Sequence, residues 1–170
     1  GHRSAWIYDL IDQDDWQPTR YDIIENGAKF GVIIHRLMTR YKAESWTKIV
    51  VGELNSLLAQ TNAWSAASKS GIEVGDSPIQ SQAEVIIVDS NGKNVANTVK
   101  QMLPMLAKGG VLFTVEPLVP AGDVDENDEA GMAVVEGFNS WINLIQSTNE
   151  THYIAFNPLF GGTLVAFLEK

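Results

Sequence analysis

A chain of 170 residues with 45% apolar side chains is long enough for one domain with a buried core, and nothing in its make-up suggests disorder. Its 12 basic and 21 acidic residues give a net charge of -9, which argues against the phosphate-binding footprint of a nucleic-acid partner. The lack of cysteine excludes a disulfide framework, a thiolate metal site and a cysteine nucleophile.

No apolar run reaches the ~18 residues of a bilayer span, and the N-terminus lacks the order of a signal peptide, so a soluble, cytoplasmic protein is expected, with no membrane partner. Gly1 and His2 read as a remnant of tag removal, so the natural chain is expected to start earlier or to belong to something larger.

Residues 1–20 read as an N-terminal helix and linker. Ser4 to Ile11 forms a short helix with Trp6, Ile7, Leu10 and Ile11 on one side, and the acidic, Pro18-containing stretch breaks it. Tyr21 to Ile24 is the first strand. A glycine turn with Gly27 and Gly31 follows, then a helix whose Ile33, Ile34, Leu37, Met38 and Tyr41 recur at three- and four-residue steps. Arg36, Arg40 and Lys42 form the solvated face of that helix. Lys48 to Val51 is a second strand, ending at Glu53, and Asn55 is placed to cap a helix carrying Leu57, Leu58, Thr61 and Trp64.

Ile72 to Val74 reads as a short third strand running into Gly75-Asp76-Ser77. Val85 to Val88 is continuously apolar, as in a strand covered on both faces, and ends at Asp89. The next helix shows Val95, Val99, Met102, Leu103 and Leu106 and stops at Gly109-Gly110, before a strand from Val111 to Val115. A helix over Glu129 to Gln146 presents Val134, Val135, Phe138, Trp141, Ile142 and Ile145 as a core stripe. The strands His152 to Phe156 and Thr163 to Leu168 close the chain. Alternating strands and helices imply a parallel sheet, and the closing pair, with no helix between, must be antiparallel.

Gly27 and Gly31 let backbone approach a ligand where a Cβ would collide, and the helix that follows offers unpaired N–H groups. Glu53, just past the second strand, is placed to accept ribose hydroxyls. A glycine turn that only closes a tight connection is the bland alternative. Ligand binding is favoured because Glu53 and Asp76 are expected at the same sheet edge, outside the strand carboxyl ends. His35 and His152 read as packing or surface residues rather than bases, and Lys29 as a surface lysine. The run Asp123, Asp125, Glu126, Asp128 and Glu129 lacks the glycine and glutamate spacing of an EF-hand and reads as a solvated loop at a helix N-terminus.

From about Tyr21 to the C-terminus the chain resembles the class I S-adenosylmethionine-dependent methyltransferases, in particular their small-molecule O-methyltransferase branch. Glu25, Gly27 and Gly31 match the E-x-G-x-x-x-G loop, Glu53 the ribose-binding acid, Asp76 and Ser77 the segment beside the adenine, and Asp89 the acid ending strand four. MLPMLAKGGVLFTVEP is similar to the family's leucine-rich helix, double glycine and fifth strand, and NPLFGGTLVAFLEK to its closing hairpin. The resemblance implies an α/β, Rossmann-like, mostly parallel seven-stranded sheet over 21–170, with a C-terminal antiparallel hairpin and helices on both faces. It also implies S-adenosylmethionine as cofactor.

Departures from the family are visible. The stretch between Asp76 and Glu84 is too short for a crossover helix. Glu116-Pro117 stands where metal-dependent relatives carry an acid-amide pair, so no metal is expected, and Lys93 lies near where those relatives place a lysine. Two readings of function follow: methyl transfer to a small-molecule or protein acceptor, or a non-catalytic module of that fold serving a neighbouring domain or subunit.

Overall fold

The structure is a computed structural model describing residues 2–90, 92–125 and 127–170, with side chains from Ser4 onward. Glu126 of the acidic run and Gly1 of the terminal pair therefore lie outside the described residues. The chain divides into two compact units, one up to Gln80 and one from Ser81.

The first unit contains α1 (His2–Gln13), β1 (Tyr21–Glu25), α2 (Ala28–Arg40), β2 (Thr47–Val51) and α3 (Leu54–Lys69). Parallel β1 and β2 pair in register from Tyr21 against Thr47 to Glu25 against Val51. The core joins Tyr8 and Ile11 of α1 to Ile23, Ile34, Met38, Ala43 and Trp46. In α1 the buried stripe is Ser4, Tyr8 and Ile11, whereas Trp6 (68%) and Leu10 (59%), both expected inside, are exposed. Tyr8 prevails because its ring stacks on Tyr41 at 5.6 Å and meets Trp46 at 5.7 Å, while its hydroxyl donates to Thr47 Oγ1. In α2, Ile34 and Met38 are buried as the periodicity requires, while Ile33 faces outward.

Two expectations fail here. Glu53, not Asn55, occupies the cap position of α3. The third strand at Ile72 to Val74 does not form among the described residues, because its first N–H serves the end of α3. Ile72 N donates to Ala67 O across Gly71, whose φ of +77° supplies the left-handed step of a Schellman-type end. The Trp64 indole then holds Gly75 O at 2.6 Å.

The second unit contains β3 (Ala83–Val88), α4 (Val95–Met102), β4 (Leu106–Val115), α5 (Glu129–Thr148), β5 (His152–Leu159) and β6 (Gly162–Glu169). Its sheet has the order β3-β4-β6-β5, with β3 parallel to β4 and β6 antiparallel to both neighbours, so the closing hairpin forms as expected. Pro104, which has no N–H, stops α4 at Met102. Leu103 falls in a single 3-10 turn, and β4 begins at Leu106. Gly109-Gly110 therefore lies inside a strand rather than ending a helix. Gly109 has φ +77°, and the pairing of β3 with β4 is irregular between Ala83 and Val85.

One sheet face is buried through Ile86, Val88, Leu112, Thr114, Val165 and Phe167. Trp141 of α5 meets Phe167 edge-on at 5.9 Å. Val85 and Ile87 are about half exposed, so β3 is covered on one face instead of two. Altogether the described residues form a two-stranded and a four-stranded sheet, not one seven-stranded sheet.

Candidate functional site

Because β1 and β2 are parallel, their carboxyl ends share one edge, and Gly52 N donates to Glu25 O at 2.9 Å to tie the two chain exits together. Both exits lead directly into helices. α2 opens at Gly27 and α3 at Glu53, and neither cap residue's side chain bonds the first turn. Two helix N-termini that lack a side-chain bond from their cap residue therefore leave the same edge, an arrangement suited to anionic or hydroxyl-bearing ligands.

Gly27 and Gly31 differ in what surrounds them. A Cβ at Gly27 would meet nothing within 4 Å, which leaves open space beside the start of α2. Gly31 is buried in the first turn of α2, where a Cβ would stand 2.8 Å from Val51 Cγ2, so its small size lets α2 close onto β2. Glu53 and Asp76 are exposed, as is Lys29, while Glu25 is half-buried. Ser77 is buried and donates its hydroxyl to Ile79 O, while its own carbonyl accepts from Lys48 Nζ at 2.9 Å.

Residues 77–80 are thus tied to the second residue of each strand, since Gln80 N also donates to Asp22 Oδ2 at 2.7 Å. Asp22 is held in turn by Arg20 through Nε and Nη2 at 2.7 and 2.8 Å. This lock was not read from the sequence, although a carboxylate inside the strand YDII was the signal for it. Burial pushes the Tyr21 phenol up to about 12, against a bond with Ser4 that lowers it.

In the second unit, Asp89 follows β3 and is exposed. The chain beyond it passes so close to α5 that a Cβ at Gly137 would stand 2.8 Å from Gly92 O. Lys93 pairs with Glu136 at 3.4 Å on the surface. Glu116 accepts from Trp141 Nε1 at 3.3 Å, a role that the otherwise apolar stripe of α5 gave no hint of. His35 lies on the exposed side of α2, and His152 Nδ1 contacts Thr151 Oγ1. Asp128 caps α5 by accepting from Gly131 N, and the Asn127 backbone N–H lowers the carboxyl of Asp125. Among the described residues no group of three His, Cys, Asp or Glu side chains could hold a metal, and no helix is long and apolar enough to cross a membrane.

No known family's sequence pattern matches the chain, and no curated protein matches it by sequence. Solved structures do match. TomG, an O-methyltransferase from Streptomyces achromogenes involved in tomaymycin synthesis and solved with S-adenosylmethionine, superposes with a TM-score of 0.67 at 15% identity, over 100% of this chain and 69% of its own. An O-methyltransferase from Bacillus cereus, solved with S-adenosylhomocysteine, gives 0.63 at 11% identity over 99% and 81%. A Corynebacterium glutamicum protein gives 0.60 at 14% identity over 88% of this chain but only 60% of its own length. The chain has the class I methyltransferase fold.

Proposed function

We propose that this chain binds S-adenosylmethionine and transfers its methyl group to an acceptor. The observation that carries the reading is the open, uncapped start of α2 at Gly27, beside Glu25 and at the same strand edge as Glu53. The similarity to TomG and to the Bacillus cereus enzyme, which were solved with S-adenosylmethionine and S-adenosylhomocysteine, supports it.

The residues fit such a group. Gly27 and the first N–H groups of α2 would take its methionine part, and the Glu53 carboxylate would accept its ribose hydroxyls. Gly31 acts through α2 by keeping the helix close on β2. Asp76 and Ser77 are assigned to the adenine side by resemblance alone, since residues 77–80 are bound to Lys48 and Asp22, the second residues of the two strands, and the Ser77 hydroxyl is given to Ile79 O. Asp89 is assigned by resemblance alone. The bound cofactor supplies a methyl carbon on a sulfonium, which is a ready leaving group. The protein's part is to hold the acceptor in line and exclude water. Small-molecule and protein acceptors both remain within this reading, in a soluble protein.

Calorimetric titration with S-adenosylmethionine and S-adenosylhomocysteine tests it, alongside Gly27→Val. At φ -124° and ψ 130° with open space around it, position 27 accepts valine without strain, so the variant should fold and lose binding. A ligand at ~100 times its dissociation constant should stabilise the wild type by ~2.7 kcal/mol. If neither compound binds the folded wild type, the non-catalytic module becomes the better reading.

A further inference from the structure

The four-stranded sheet of the second unit ends on β5, which among the described residues pairs with β6 on one side and with no strand on the other. The pairing runs without a break from His152 against Glu169 to Leu159 against Gly162. Among the described residues, the backbone groups of His152–Asn157 bond to β6 only. Their outward N–H and C=O groups form an edge that another strand can take up.

Such edges are ordinarily blunted by charged side chains, bulges or proline. β3, at the other end of the strand order, has Glu84 and an irregular register between Ala83 and Val85. β5 has neither. No Asp, Glu, Lys or Arg stands between Glu150 and Glu169, the longest charge-free run in the chain. Pro158 removes an N–H only near the far end of the strand, which leaves the edge from His152 to Asn157 unprotected.

The side chains along this edge are apolar on both faces. Residues opposite each other in a ladder share a face, so Ile154 and Phe156 belong with their partners Phe167 and Val165, which are completely buried. Phe156 is nevertheless 46% exposed, because the buried layer runs to the edge of the sheet and stops there without cover. On the opposite face Tyr153 is 63% exposed even with Lys170 over its ring at 5.5 Å, and Leu159 is also exposed. Phe160, in the hairpin turn, is fully exposed. The exposed parts of Tyr153, Phe156, Leu159 and Phe160 come to roughly 500 Å², so a symmetric pair reaches about the 1,000 Å² that a specific interface needs.

Charge and symmetry identify the occupant. Two copies that each carry a net charge of -9 repel one another, so they meet best where neither has a charge. Antiparallel pairing of β5 with itself achieves this. A two-fold axis perpendicular to the sheet keeps like faces together, so Ile154 and Phe156 of one copy meet the same residues of the other and extend the buried layer. With one such edge per copy, the assembly closes at two.

We propose that β5 is a dimerisation edge, at which a second copy of this chain pairs β5 against β5 in antiparallel fashion and joins two four-stranded sheets into one. The proposal does not rest on the methyl-transfer reading.

Sedimentation of the whole chain from micromolar to millimolar concentration should show a reversible monomer–dimer equilibrium, and amide exchange at alternate residues of His152–Asn157 should slow as the dimer forms. Ala155→Lys, at an exposed mid-strand position, sets two ammonium groups close to the axis and should raise the dissociation constant by roughly tenfold or more. Phe160→Ser removes a side chain that no part of the monomer covers, so the variant should fold as the wild type does and weaken the dimer by roughly threefold or more. Ile72→Lys, which changes an exposed apolar residue of the first unit, should leave association unchanged. A chain monomeric at millimolar concentration, growth past the dimer, a dimer without concentration-dependent protection of β5, unchanged association in both folded β5-edge variants, or equal weakening by Ile72→Lys would overturn the proposal.

Discussion

Gly137→Ala sets two opposed effects against each other at a site the structure defines closely. In a helix interior, replacing glycine by alanine stabilises by about 0.5–1 kcal/mol, because glycine loses more backbone freedom on folding. At Gly137 the new methyl would lie 2.8 Å from Gly92 O, 3.1 Å from Lys93 Cα and 3.2 Å from Gly92 C. All three are backbone atoms and cannot rotate away, and overpacking of this kind costs about 1–3 kcal/mol. The net expectation is destabilisation of about 1–2 kcal/mol, borne by the chain segment just after β3. Gly31→Ala is the matched control. It gains the same helix term, and its clash at 2.8 Å is with Val51 Cγ2, the end of a half-exposed side chain that can shift. It should stay within about 0.5 kcal/mol of the wild type. Urea unfolding of the three proteins decides the matter, since at a slope of ~2 kcal/mol/M the first variant's midpoint should fall by about 0.5–1 M and the control's barely move. A Gly137→Ala protein as stable as the wild type, or a Gly31→Ala protein that is the weaker of the two, would refute the reasoning.

Tyr21 makes stability fall at alkaline pH. Its folded pKa of about 12 lies above the ordinary 10.0, so the contribution is complete below pH 10 and is lost as pH rises through 12. Two units correspond to roughly 2–3 kcal/mol, and Tyr21→Phe should flatten that part of a stability–pH curve; a curve unchanged by the substitution would show that Tyr21 is not the group responsible. Asp128→Ala removes the acceptor for Gly131 N and should cost about 0.5–2 kcal/mol in chemical denaturation, whereas an unaffected midpoint would mean that the cap contributes nothing. Glu53→Ala should weaken S-adenosylmethionine binding by ~1–3 kcal/mol in calorimetry, and unchanged affinity would remove Glu53 from the site.

Legibility followed how local the deciding interaction is. β1, β2, α5 and the closing hairpin could be read from the sequence because apolar spacing and the absence of a connecting helix act within a few residues. The failures lie where a distant or competing partner decides. Ile72 is β-branched and strand-prone, but Ala67 O claims its N–H, and a three-residue stretch with two apolar side chains, Ile72 and Val74, cannot outweigh a helix end that needs closing. In α1, spacing alone allowed either Trp6 with Leu10 or Ser4 with Tyr8. The choice fell to Tyr8 through aromatic contacts and a hydroxyl bond to Thr47, 39 positions away.

The two glycines of the candidate site make the same point about function. One-letter spacing treats Gly27 and Gly31 alike, as two members of a ligand-cradling motif. Only the surroundings separate a glycine with open space where its side chain would be from one pressed against Val51. That difference gives each its own consequence: enlarging Gly27 should remove binding and leave the fold, while enlarging Gly31 should act on binding only through the seating of α2. Binding lost in Gly27→Val and kept in Gly31→Ala would therefore separate the cradle from its support, a distinction the sequence motif cannot draw.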